Sequence, residues 1–189
     1  MSDKFRNIYR IPSSRLSNWN YSENGYYFVT ICTKEREHYF GEIINNKMNL
    51  SKIGKIVQKY WFEIPYHFPF VELDEFIVMP NHIHGITIIK NQHNFVCRDV
   101  INHVSTENTN KNIFSKISPM NKHSLGAIIR WYKGRTTFEI RKQKFNFSWQ
   151  TRFYDQIIRN EKSLYYIRQY IRDNPINWET DRNNLTSEF

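Results

Sequence analysis

The sequence predicts an α+β domain in which helices pack on an antiparallel sheet. Three observations carry that expectation. Residues 26–32, 71–79 and 82–89 are rich in aromatic and β-branched side chains and read as strands. The last two are separated only by Pro80-Asn81, a joint so short that it favours an antiparallel hairpin over a crossover. Around these strands lie stretches with helical apolar spacing. The resulting order is β-β-α-β-β-loop-α-β-α, with no repeat and no glycine-rich phosphate loop.

Taken in order, residues 1–24 read as an irregular arm and residues 26–32 (YYFVTIC) as the first strand. Residues 39–44 make a second strand, followed by a turn at Asn45-Asn46. Ser51 can cap a helix in which Ile53, Ile56, Val57, Tyr60, Trp61 and Ile64 share one face, and Pro65 closes it. After the hairpin, residues 91–123 contain seven Asn, few large apolar side chains and no period, and read as a surface loop. Ser124 caps the next helix, with Leu125, Ile128, Ile129 and Tyr132 on one face. Beyond the extended 145–158 segment, Asn160 caps a last helix with Leu164, Ile167 and Ile171 as its inner stripe. Asn174-Pro175 ends it, because the residue before proline is driven out of the helical region.

The chain has 189 residues, of which 40% are hydrophobic, too many for a disordered polymer. No apolar run is long enough to span a bilayer and the first residues lack an apolar signal segment, so the expectation is a cytosolic protein with no membrane partner. Cys32 and Cys97 are the only cysteines and form no CxxC pair, which argues against a disulfide scaffold or a cysteine-rich zinc module. Twenty-seven Lys and Arg stand against 18 Asp and Glu, a net charge of +9, and 16% of residues are aromatic. Residues 124–159 alone carry eight bases and two acids, two thirds of the excess. Arg130, Lys133, Arg135, Arg141, Arg152 and Arg159 alternate there with Trp131, Tyr132, Phe138, Phe145, Phe147, Trp149, Phe153 and Tyr154. Cations match phosphates and flat rings match unstacked bases, so the expected partner is nucleic acid, with those six cations as candidate DNA contacts.

Two histidines are paired, His82 and His84, within MPNHIHGITII. Residues i and i+2 of a strand point to the same face, so the two imidazoles stand side by side and offer half of a metal site. An isolated pair of this kind is as readily structural, and a third ligand must come from elsewhere. In the last helix, Tyr170 and Asn174 lie one turn apart and border the buried stripe, at about 60° and 20° from Ile167 on a wheel of about 100° per residue.

VMPNHIHGI, then WQTRFYDQIIRN at 149–160, then Tyr170-Ile171-Arg172-Asp173-Asn174-Pro175 together resemble the Y1 transposases of the IS200/IS605 type, and more closely the REP-associated tyrosine transposases. These belong to the HUH superfamily of single-strand DNA nucleases. The resemblance runs from about Gly25 through Trp178, with 91–123 as a variable insert, 1–24 as an N-terminal arm and 179–189 as a C-terminal tail.

The resemblance implies an HUH-endonuclease core of ferredoxin-like type and DNA cleavage and rejoining through a 5′-phosphotyrosine. His82 and His84 match the histidine ligands of a divalent metal, Mg²⁺ or Mn²⁺, Asn174 matches the third ligand, and Tyr170 matches the nucleophile. The implied partner is single-stranded DNA in hairpin form. Monomer and homodimer stay open, since relatives occur as both. One departure is visible: Gln156 replaces a histidine found in many relatives. Two rival readings keep parts of this pattern: a DNA-hairpin binder without catalysis, and an HUH nickase of the replication-initiation or relaxase type.

Overall fold

The computed structural model describes residues 4–5, 8–9, 19–91 and 122–184. Most of the expected arm, nearly all of the 91–123 loop and the end of the tail lie outside the described residues. The expected α+β class holds. Four antiparallel strands, β3 (Gly25–Cys32), β6 (Val71–Val78), β7 (His82–Ile89) and β8 (Tyr154–Ile158), form one sheet in the order β6-β7-β3-β8. Two short pairs flank it: β1 (Lys4–Phe5) with β2 (Ile8–Tyr9), and β4 (Gly41–Ile44) with β5 (Lys47–Leu50). Among the described residues, no helix is long and apolar enough to cross a membrane.

The helices begin where side chains cap them. Ser51 accepts from the Gly54 N–H at the start of α1 (Lys52–Phe62), Ser124 from Ala127 at the start of α3 (Leu125–Lys142), and Asn160 from Ser163 at the start of α4 (Glu161–Asp173). Pro65 does more than close α1, because it sits in the first turn of a second, four-residue helix, α2 (Ile64–His67). The expected 39–44 strand starts two residues late. Gly41 has φ +134° and a Cβ there would stand 2.0 Å from the Asn49 carbonyl, so the chain bends at that glycine before pairing. Asn45 and Asn46 both adopt positive φ, the geometry of a tight hairpin turn, and it pairs β4 with a strand that periodicity did not reveal.

Period-2 alternation divides the sheet into two faces with different partners. Tyr27, Val29, Ile31, Ile83 and Ile89 point into the larger core, with Val57 and Trp61 of α1 and Ile128, Ile129 and Tyr132 of α3. Trp61 is fully buried and stacks on Phe76 at 4.7 Å between ring centres. Phe28, Ile86 and Ile158 face the other way, onto Leu164 and Ile171 of α4. That second core is small, and charge supplements it. A register shift in β6 between Leu73 and Phe76 turns out Asp74 and Glu75. Arg168 of α4 grips Asp74 through Nε and Nη2, and Arg172 pairs with Glu75.

Gly85 lies on the larger-core face, immediately after His84, and a Cβ on it would meet the Trp61 ring at 2.3 Å. The glycine of the HIHG run therefore makes room for a tryptophan behind the site. Gly85→Ala is expected to destabilise the fold by about 1–3 kcal/mol through overpacking, read as a lower urea midpoint with an unchanged slope.

Candidate metal and nucleophile site

His82 and His84 occupy the α4-facing side of β7, and the register of β3 supplies their neighbours: Cys32 is opposite His82 and Thr30 opposite His84. Both imidazoles are fully buried. His82 Nδ1 lies 2.8 Å from Asn81 Oδ1, while Asn81 Nδ2 donates to the carbonyls of Arg36 and Asn183 at 3.1 and 2.8 Å. Those two donations fix which end of the amide is oxygen, so Nδ1 of His82 carries the proton and Nε2 presents its lone pair. Thr30 Oγ1 lies 2.8 Å from His84 Nδ1 and can accept in the same way. The two Nε2 atoms converge to 2.9 Å.

Burial pushes the His82 pKa down to about 3, and Arg36, Arg182 and His38 act in the same direction. Burial and then His82 hold His84 well below the ordinary range, with Asp181 opposing. Both rings are thus neutral at pH 7, the form that ligates metal. At 2.9 Å the two Nε2 atoms share one hydrogen bond when His84 carries its proton there, and turn both lone pairs to one point when His84 carries it on Nδ1, facing Thr30. Adjacent ligands at about 2.1 Å from one ion stand about 3 Å apart, so the spacing fits a divalent cation.

α4 brings the other two predicted residues to the same place. The Tyr170 phenol lies 3.2 Å from His84 Nε2 and the ring is 41% exposed, open on one side to a cleft. Phe28 sets its angle, stacked on His84 at 5.3 Å and edge-on to Tyr170 at 6.1 Å. Burial raises the Tyr170 pKa, Asp181 raises it further, and Arg182 and a hydrogen bond with Asn174 oppose this. Asn174 is 2% exposed. Its Nδ2 donates to Asp181 Oδ2 at 3.1 Å, and its Oδ1 is buried with no partner among the described residues. A buried amide oxygen without a partner, bordering the Tyr170 cleft, is a ligand atom that a hard divalent ion can take up.

Sequence reasoning missed Asp181 and Arg182, which lie beyond Trp178. Ligand atoms of His82, His84 and Asp181 all fall within 4.8 Å of one another. Arg182 lines the Tyr170 cleft with Tyr154 and Gln156, and also a second depression that holds Arg36, Arg152 and Gln150. Gln150 in turn borders a third, formed by Arg130, Lys133, Arg141, Lys142, Phe138 and Trp149. The three depressions share residues and lead from α3 to the phenol. Of the six cations singled out above, Arg130, Lys133, Arg141 and Arg152 line this path. Arg135 instead pairs with Glu139 and lies over Tyr60, and Arg159 lies over Trp19.

The sheet and the helices packed on it have an IS200/Y1 transposase-like fold. The chain superposes over 88% of its length on the structure of a REP-associated tyrosine transposase bound to a REP hairpin, covering 74% of that chain at a TM-score of 0.55 and 17% identity. It belongs to the same family as an uncharacterised protein of Haemophilus influenzae, with 40% identity over 176 residues that make up 93% of each chain. No protein-family model matches the chain.

The depressed histidine pKa values link stability to pH. The unfolded state, with an ordinary pKa near 6.5, takes up protons that the folded state refuses, so stability is complete above that value and falls as pH drops below it. In metal-free buffer, His82 alone is expected to lower the unfolding free energy by about 2 kcal/mol between pH 7 and pH 5, with His84 acting in the same direction. Urea titrations of wild type and His82→Gln check this, the variant showing the shallower dependence.

Proposed function

We propose that the chain cleaves and rejoins hairpin-forming single-stranded DNA, with Tyr170 as nucleophile and His82, His84 and Asn174 as holders of a divalent metal, Mg²⁺ or Mn²⁺. The observation that carries this reading is a half-exposed phenol 3.2 Å from Nε2 of a buried histidine whose Nε2 lies 2.9 Å from that of a second. A site that only bound DNA has no use for that convergence.

Tyr170 Oη bonds to the phosphorus of a phosphodiester, and the bond from phosphorus to the 3′-oxygen breaks. The phenol proton leaves to water on the open side of the cleft, and the departing oxygen takes up a proton to become a 3′-hydroxyl. The 5′ end is then a phosphotyrosine, which keeps the free energy of the broken bond. A second strand's 3′-hydroxyl can reverse the step and join ends without ATP. The metal, when bound, polarises the phosphoryl oxygen and offsets the charge that develops there. Phe28, edge-on to the phenol, limits its swing and keeps it facing the phosphate.

Arg130, Lys133, Arg141 and Lys142, then Arg36, Arg152 and Arg182, give a single strand a cationic route to the phenol, with the exposed Phe138 beside it for an unstacked base. The solved relative was bound to a REP hairpin, which supports a hairpin as the substrate form. Gln156, on the floor of the Tyr170 cleft, is a neutral amide where many relatives carry histidine, and it can hydrogen-bond phosphate without adding charge.

Incubation with labelled hairpin DNA and Mn²⁺ is expected to give a covalent adduct on a denaturing gel. Tyr170→Phe should abolish the adduct and His84→Ala should lower its yield at least about 100-fold; an adduct that survives Tyr170→Phe refutes the assignment. His82→Ala separates the rival reading, since a pure hairpin binder keeps all of its function in that variant. The double variant Arg130→Ala/Arg141→Ala is expected to weaken DNA binding and to flatten the plot of log affinity against log salt by about 0.7 per cation.

A further inference from the structure

The segment that follows the nucleophile helix packs onto the metal site. Trp178 lies 6.0 Å from the His82 ring, and the Asn183 carbonyl accepts from the same Asn81 amide that holds His82. Asp181 sits between these anchors and is 9% exposed. Its Oδ1 accepts from the Asn183 N–H at 2.6 Å and its Oδ2 from Asn174 Nδ2 at 3.1 Å. Both partners are neutral amides. Among the described residues, no ammonium or guanidinium lies within ion-pairing distance of this carboxylate. A nearly buried carboxylate without a counter-cation is a costly arrangement, and the most direct relief is a cation bound beside it.

The geometry supplies the place for one. Ligand atoms of Asp181, His82 and His84 lie within 4.8 Å of one another; opposite ligands of one ion stand about 4.2 Å apart, twice a bond of about 2.1 Å, so a side-chain adjustment of at most about 0.6 Å brings all three to one ion. We infer that Asp181 is an anionic ligand of the divalent metal in this site, and that it also orients Asn174. By accepting Nδ2, it leaves Asn174 Oδ1, buried and unpartnered, as the amide's free donor. This rests on the metal-site reading above and adds a ligand to it. The donor set becomes two imidazoles, an amide oxygen and a carboxylate. Replacing part of an imidazole-only set with hard oxygens shifts preference toward Mg²⁺ and Mn²⁺, and the carboxylate halves the net charge of the bound ion.

Calorimetric titration of the full chain with Mn²⁺, without DNA, tests the assignment. Asp181→Asn is nearly isosteric. It is expected to weaken Mn²⁺ binding at least fivefold and Ni²⁺ binding less, because imidazoles dominate nickel affinity. A smaller effect on Mn²⁺ overturns the inference. Should Asp181→Asn fail to fold, a crystal of the wild type grown with Mn²⁺ decides the matter. An anomalous peak within coordination distance of an Asp181 oxygen is expected. A peak held by His82 and His84 with Asp181 turned away overturns the inference and leaves the metal site standing. Wild type that binds Mn²⁺ no better than His84→Ala removes the metal site itself, and this ligand with it.

Discussion

Both ends of the Asn81 side chain are spent, and each on a different part of the molecule. Its oxygen fixes the tautomer of His82, and its nitrogen holds the carbonyls of Arg36 in the turn after β3 and Asn183 near the chain's end. Its own carbonyl accepts from Thr33, through both N–H and Oγ1. This residue is fully buried, so each of those bonds is made away from competing water. Replacing it would leave a histidine free to change tautomer and two carbonyls without their donor, a penalty of about 1–3 kcal/mol for each group orphaned away from water. The site is therefore built around a polar knot, with the apolar cores serving to hold the knot in place.

The sheet keeps those cores apart. Ile83 and Gly85 look toward α1 and α3 while His82 and His84 look toward α4, so a one-residue slip of β7 would exchange histidines for isoleucine and glycine. Trp61 filling the space above Gly85 is one of several contacts that forbid the slip. Chemistry and stability thus share a strand yet occupy opposite faces of it.

Much of this was legible in the sequence. The caps at Ser51, Ser124 and Asn160 were readable because capping depends on one side chain and its immediate successors, and the strand pair at 71–89 because apolar alternation and a two-residue joint are local signals. His82, His84, Tyr170 and Asn174 were readable as a set through their resemblance to a family, and the fold does bring the four together. Asp181 was not, because nothing ties a carboxylate in an irregular segment to a histidine 97 positions earlier except the folded structure. Asn81 looked like a turn residue, and only the arrangement of two distant carbonyls makes it a hub. The cations of α3 show a different limit. Counting charge could not separate Arg135 from its neighbours, although helical spacing sets Arg130, Gly134, Thr137 and Arg141 along one groove and leaves Arg135 beside α1.

The helix that carries Tyr170 lies on the smaller core and is fastened along one flank by Arg168 and Arg172. Tyr170 projects from the other flank, about 160° around the axis from either arginine at about 100° per residue. An ionic clasp thus sits on one side of the helix axis and the phenol on the other. At a radius of about 6 Å, a roll of 10° carries the phenol oxygen through about 1 Å, a displacement that can change a rate about a hundredfold. The reach of the Tyr170 phenol is thereby tied to two carboxylates on a bulge in β6, whose grip on the helix loosens with ionic strength.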